Sequence, residues 1–123
     1  MPPTVTQAEV IRRALESRLG DVFTSFPARV ESYDAAKQTA DLAPMIRRPL
    51  PTSDGDTVSE DIPVLPDVPI VFPRGGGDTF AITWQLQPGD FVWVHVSSYS
   101  FANWRRTGEL GDPGDVRPHH ISN

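Results

Sequence analysis

Proline is the residue that most limits what this chain can become. There are 13 prolines in 123 residues, spread from one end to the other. Each removes a backbone donor and fixes φ, so none is tolerated deep inside a helix. A long helical bundle is thereby excluded, and short elements joined by turns remain. Together with the nine glycines, prolines make up about 18% of the chain, below the range of disordered low-complexity sequence. A domain of this length can hide roughly two-thirds of its unfolded surface, so it needs no staple. It has no cysteine to make one, which also rules out a zinc–thiolate site and a thiol nucleophile. The formal net charge of −5 argues against nucleic-acid binding, which needs a basic face to displace counterions. No stretch of 18 apolar residues is present to span a bilayer. The start, MPPTVTQAEV, lacks the basic and apolar regions of a secretory signal.

Three zones follow, expected at 1–24, 25–98 and 99–123. In the first, Ala8, Ile11, Leu15, Leu19 and Val22 recur at helical spacing, with Arg12, Arg13, Glu16 and Ser17 on the other face. Thr6 and Glu9 have the spacing of a capping box. Gly20 is expected to supply the left-handed residue that stops the helix. The apolar stripe must lie on the domain or on a partner chain.

The middle zone reads as strands. Residues 28–33 alternate, 34–38 form a turn, and 39–48 read as a longer strand whose Pro44 needs an edge or a bulge. Residues 52–61 are polar and acidic and read as an exposed loop. Pro63, Pro66 and Pro69 recur every third residue, the spacing of a polyproline II ligand. Ile62, Val64, Leu65, Val68, Ile70, Val71 and Phe72 around them favour core instead. Residues 80–86 alternate, 87–90 have type II turn chemistry, and 91–96 form the clearest strand. In the last zone, 100–107 read as a short helix closed by Gly108. The pattern predicts a mainly β fold, a small antiparallel OB-like barrel of five to six strands with an N-terminal α-helix and a short C-terminal helix and turn region. Val30, Leu42, Ile46, Val71, Ile82, Trp84, Val92 and Val94 are the expected core.

Four stretches carry a resemblance: V-E-S-Y-D-x3-Q-T-A-D-L-A-P (30–44), I-P-V-L-P-D-V-P-I-V-F-P-R-G-G-G (62–77), L-Q-P-G-D (86–90), and N-W-R-R-T-G (103–108) followed by D-V-R-P-H-H-I-S-N (115–123). In this order they resemble the N-terminal domain of the central baseplate spike proteins of contractile-tailed bacteriophages, the membrane-piercing spike family. The resemblance implies an OB-fold that forms a homotrimer, sits beneath the hub at the end of the tail tube, and carries a β-helical needle. It implies a virion location in the tail baseplate, with assembly in the bacterial host cytoplasm. The family's needle tip holds an iron ion, but the sequence ends at Asn123, about where the needle would follow, so no cofactor is expected in these residues. The implied partners are hub or tube proteins and a spike-tip segment or protein, with membrane contact only through the spike.

Other motifs are weighed against simpler roles. Arg74-Gly75-Gly76-Gly77-Asp78 lacks the Lys-Ser/Thr of a phosphate loop, and Asp78 would repel phosphate, so it reads as a hairpin loop. His119 and His120 are adjacent and point apart on an extended chain, so one ion does not easily take both; hydrogen bonding in a C-terminal crossover is expected. The carboxylates, Asp112 and Asp115 among them, fall in loops, with no aromatic-lined cleft evident beside them. Ser97 and Ser98 lie near His95 without a nucleophile elbow. Trp84, Trp93, Trp104, Phe91, Phe101 and Tyr99 read as core and interface packing. Partner contacts are expected at Ile11, Leu15 and Leu19, at Pro63, Pro66 and Pro69, and at Trp104, Arg105, Arg106, Arg117, His119 and His120. The expected function is a non-enzymatic adaptor between the tail tube and the spike. The alternatives are an OB-fold binding module for a glycan or oligonucleotide, or a non-catalytic accessory of a cell-wall hydrolase.

Overall fold

Along residues 25–30 the order Ser-Phe-Pro-Ala-Arg-Val puts Phe26, Ala28 and Val30 on one side of a strand, and that side is the core. The computed structural model describes residues 6–77 and 79–123. After helix α1 (Gln7–Gly20) come β1 (Ser25–Asp34), β2 (Thr39–Pro44), β3 (Arg47–Pro51), β4 (Thr57–Asp61), β5 (Leu65–Pro69), β6 (Arg74–Gly75), β7 (Phe80–Ala81) and β8 (Phe91–His95), then helix α2 (Ala102–Thr107). The fold is mainly β, with the N-terminal helix and short C-terminal helix that the sequence predicts. The strands form a four-stranded antiparallel sheet, β5-β2-β1-β8, and two separate hairpins, β3–β4 and β6–β7. Among the described residues these sheets do not close into a barrel.

The reason lies in two interruptions. The expected strand over 39–48 breaks after Pro44, which has no donor to continue a ladder; Met45 and Ile46 form a bend, and Arg47 starts a separate hairpin. Its second arm, β4, lies in what reads as a loop and is exposed throughout. The expected strand over 80–86 pairs only at Phe80 and Ala81: Ile82 still donates in register to the Pro73 carbonyl, but Pro73 has no N–H to return the bond, and the ladder ends there.

In the main sheet, Phe26, Ala28, Val30, Ala40, Leu42, Leu86 and Val94 form one buried cluster, with Tyr33, Leu65, Val68, Ile70, Val92 and Ile121 packed against it. Phe72 is also buried and meets Trp84 edge to face at 5.2 Å. Val30, Leu42, Val92 and Val94 are where the pattern predicts. Ile46, Val71, Ile82 and Trp84 are not: they are 47%, 93%, 59% and 56% exposed, because the strands that would have aimed them inward end early. Pro63 and Pro66 are exposed and Pro69 half-buried, the last two within a paired strand rather than a free polyproline helix.

Both ladders of β2 shift register at the same place, between Val30 and Ser32 on one side and between Ala40 and Leu42 on the other. Asp41 fills the gap. Its carboxylate accepts from Ser32 Oγ at 2.9 Å and from the Asp67 backbone N–H at 3.0 Å. The Asp67 N–H first, and the Ser32 hydroxyl after it, hold the carboxyl below its ordinary pKa. The bulge also swaps the faces of β1, so Tyr33 rather than Ser32 packs on the core.

The sheet's two edges differ. β5 carries Pro66 and Pro69, which offer no N–H. β8 carries none. Its bonds to β1 run through alternate residues bounded by Asp90 and Val96, leaving the backbone groups of Phe91, Trp93 and His95 on the open edge.

Helix α1 begins as the capping spacing predicts, with Thr6 Oγ1 accepting from the Glu9 N–H at 3.2 Å, but the Glu9 carboxylate turns to Arg12 and Arg13. Gly20 is not a left-handed stop: the helix runs through it, and Asp21 caps with φ −92°. By contrast Gly89 (φ 97°) and Gly108 (φ 72°) adopt the left-handed geometry that their turn and cap require. Replacing Leu42, buried at the sheet centre, with Ala should cost about 2–5 kcal/mol in urea unfolding. Replacing the exposed Val71 should change stability by less than about 0.5 kcal/mol; equal losses at both sites would refute this core.

Candidate functional site

The chain leaving β8 reads Val-Ser-Ser-Tyr-Ser-Phe before α2 begins. Gly108 ends α2, and the Gly-Asp-Pro-Gly stretch at 111–114 turns back toward the helix start. Asn103 Nδ2 donates to the Asp112 carbonyl at 3.3 Å, tying the returning loop to the helix. Gly114 passes so close that a Cβ there would lie 3.3 Å from Ser100 Oγ. Between the two arms is a depression of about 300 Å³, lined by Ser97, Ser98, Tyr99, Ser100, Phe101, Trp104, Gly111, Asp112 and Pro113. Tyr99 and Trp104 are 51% and 60% exposed. Asp112 is the one ionisable carboxylate in the lining, and no histidine, lysine or arginine lines it. The expectation that no aromatic cleft flanks an acidic loop is corrected here. The fold brings Asp112 beside three aromatic rings that precede it by 8 to 13 residues in sequence.

Beside this cup the C-terminal segment clasps the end of the sheet. The Phe23 N–H donates to the His119 carbonyl at 2.8 Å, and the His119 N–H to the Ser98 carbonyl at 2.9 Å. Asn123 Nδ2 donates to the Arg117 and Ser97 carbonyls at 3.0 and 3.4 Å, and Ile121 packs on the core. Arg117 Nε donates to Asp115 at 2.9 Å, and its Nη1 sits 3.1 Å from His120 Nε2. His120 Nδ1 lies 2.7 Å from Ser122 Oγ. Hydrogen bonding in a C-terminal crossover is therefore where His119 and His120 are placed, through the backbone of the first and the ring of the second. His119 is not extended but left-handed, with φ 47°. Among the described residues no group of three or more metal-ligating side chains converges.

The other expected contact residues are scattered. Ile11, Leu15 and Leu19 are 54%, 59% and 68% exposed on α1, which meets the domain at β3, where Arg48 Nη2 donates to Asp21 at 2.7 Å. Trp104 lines the cup, while Arg105 and Arg106 are exposed and form no ion pair among the described residues. Pro63, Pro66 and Pro69 lie apart from these, at the β5 edge. The glycines at 75–77 lie at the end of β6 and in its turn, as the hairpin reading predicts; the repulsion assigned to Asp78 lies outside the described residues. A second depression, of about 340 Å³, is bounded by Met45, Ile46 and Ile62 and by the exposed Arg47–Asp61 pair.

Sequence reasoning missed Ser97, Ser98, Ser100 and Asp112 as neighbours. The available signal was local: serines interleaved with aromatic residues, followed by a turn that must reverse the chain.

A family model described as the phage protein Gp138 N-terminal domain matches residues 26–123. No curated protein matches the chain.

The Arg117 side chain and N–H hold the Asp115 carboxyl at about 2, against an ordinary 3.8. A depressed carboxyl favours the fold above its unfolded pKa, and that contribution is lost as pH falls through the folded value. Carbon-detected NMR titration should find Asp115 titrating near 2, and Arg117→Ala should return it toward the ordinary value. Unchanged titration in the variant would show that the pair does not form in solution.

Proposed function

The chain belongs to the family of phage proteins described as the Gp138 N-terminal domain, and from that premise we propose that it is a structural component of the tail baseplate. In this reading it is an adaptor that joins the tail tube and hub to the central cell-puncturing spike. The work is mechanical: a stiff β domain transmits the thrust of contraction from the tube to the tip. It has no catalytic step and no resident cofactor.

The observation that carries the reading is the family match over 26–123. What supports an assembled rather than solitary domain is the apolar surface left on one chain. Ile11, Leu15 and Leu19 form an uncovered stripe on α1, and Phe91 and Trp93 stand 71% and 59% exposed on β8. Patches of this kind mark contact surfaces on soluble proteins. A closed ring of copies covers such surfaces, and the spike resemblance makes it a threefold one. Arg105 and Arg106, free of ion pairs among the described residues, suit acidic groups on a neighbouring copy.

Light scattering at micromolar protein should give the mass of a trimer. Leu15→Asp should reduce it to that of one chain by placing an unpaired charge in the contact, with far-ultraviolet circular dichroism unchanged. A parent protein of single-chain mass, or a variant that still assembles, sinks the trimer. Antibody labelling of intact virions should mark the baseplate; label on the capsid sinks the adaptor reading.

A further inference from the structure

We propose that the cup between β8 and α2 is a binding site for a neutral saccharide. The inference rests on the lining chemistry and stands apart from the spike reading. Trp104 on α2 and Tyr99 just before it are more than half exposed, facing a returning loop fixed by the Asn103–Asp112 bond. Exposed rings of this size present broad apolar faces at a hydration cost, and the C–H face of a pyranose is a flat apolar surface that can lie on one. The Ser97 and Ser98 hydroxyls make no hydrogen bond among the described residues. Each can both donate and accept, as sugar hydroxyls do. The Asp112 side chain, without an ion-pair partner among the described residues, accepts from two adjacent hydroxyls.

The same lining excludes other ligands. With one carboxylate and no cation, the cup repels phosphates, nucleotides and acidic polysaccharides, and the net charge of −5 acts in the same direction. A quaternary ammonium group favours a cage of aromatic faces, whereas serines form one wall here. The volume of about 300 Å³ is at the small end for ligand sites, suited to one or two sugar rings. Glycoside hydrolysis needs a second carboxyl across the bond. None lines the cup, so the site holds a glycan without cutting it.

The test is NMR titration of the full chain, following the Trp104 indole N–H, with three probes. An N-acetylglucosamine tetramer represents cell-wall glycan, maltotetraose represents a neutral surface polysaccharide, and choline is the cationic control. A saturable shift of the Trp104 indole is expected with at least one saccharide, and which one responds identifies the source. Trp104→Ala should weaken binding at least tenfold and Asp112→Asn severalfold. Trp104→Phe, which keeps a ring and the packing, should retain part of it, and Trp84→Ala, outside the cup, should leave it unchanged. The proposal is overturned if neither saccharide shifts the indole, if choline alone does, or if binding survives Trp104→Ala. It is also overturned if Trp104→Ala lowers the mass in solution and leaves saccharide binding intact, since the cup is then a contact between copies.

Discussion

The carboxylate of Asp41 keeps the main sheet in register on both sides at once. β2 is an inner strand, and each of its ladders slips by a residue at this point. A slip in a sheet with one buried face exchanges core and solvent positions. Here the exchange is used: Phe26, Ala28 and Val30 face inward before the bulge and Tyr33 after it, opposite Ala40. Asp41 accepts from the Ser32 hydroxyl on β1 and from the Asp67 N–H on β5, so at the second slip its carboxylate satisfies a backbone donor that the ladder leaves over. The change of inward face along β1 and the attachment of β5 beside it meet at that clamp.

What could be read from the chain was local. The turn at 87–90, the Gly108 cap, strand β8 and the strand at 25–34 follow from residues within a few positions of one another, and each is found close to where the pattern puts it. What could not be read was where strands stop. Residues 80–86 alternate as well as any strand in the chain, yet the partner facing Ile82 is Pro73, which has no N–H to return its bond, and the pairing ends. Trp84 and Ile82 were therefore placed in the core by a pattern that the ladder does not sustain. Residues 57–61 failed in the opposite sense. They are polar and acidic, but a hairpin needs only backbone pairing, and β3 supplies it.

The candidate site was illegible for a related reason. Each wall has an ordinary local explanation: an aromatic short helix, a run of serines, an acidic turn. Only the reversal at 111–114 brings them together, and it is held by one side-chain bond, Asn103 to Asp112, and one close approach, Gly114 to Ser100. Neither leaves a periodic trace. The clasp by His119 and Asn123 is of the same kind, since it works mainly through backbone carbonyls that any sequence could offer.

The unequal edges of the main sheet give it a direction. A sheet that is bare on both sides can stack copy upon copy without end, which is how ordered fibres grow. This one has a receptive margin at β8 and a barren one at β5, where prolines replace the donors a visiting strand would seek. A copy that offers its β5 margin to the β8 margin of another brings too few donors to continue the row, so the main sheet is built against head-to-tail stacking.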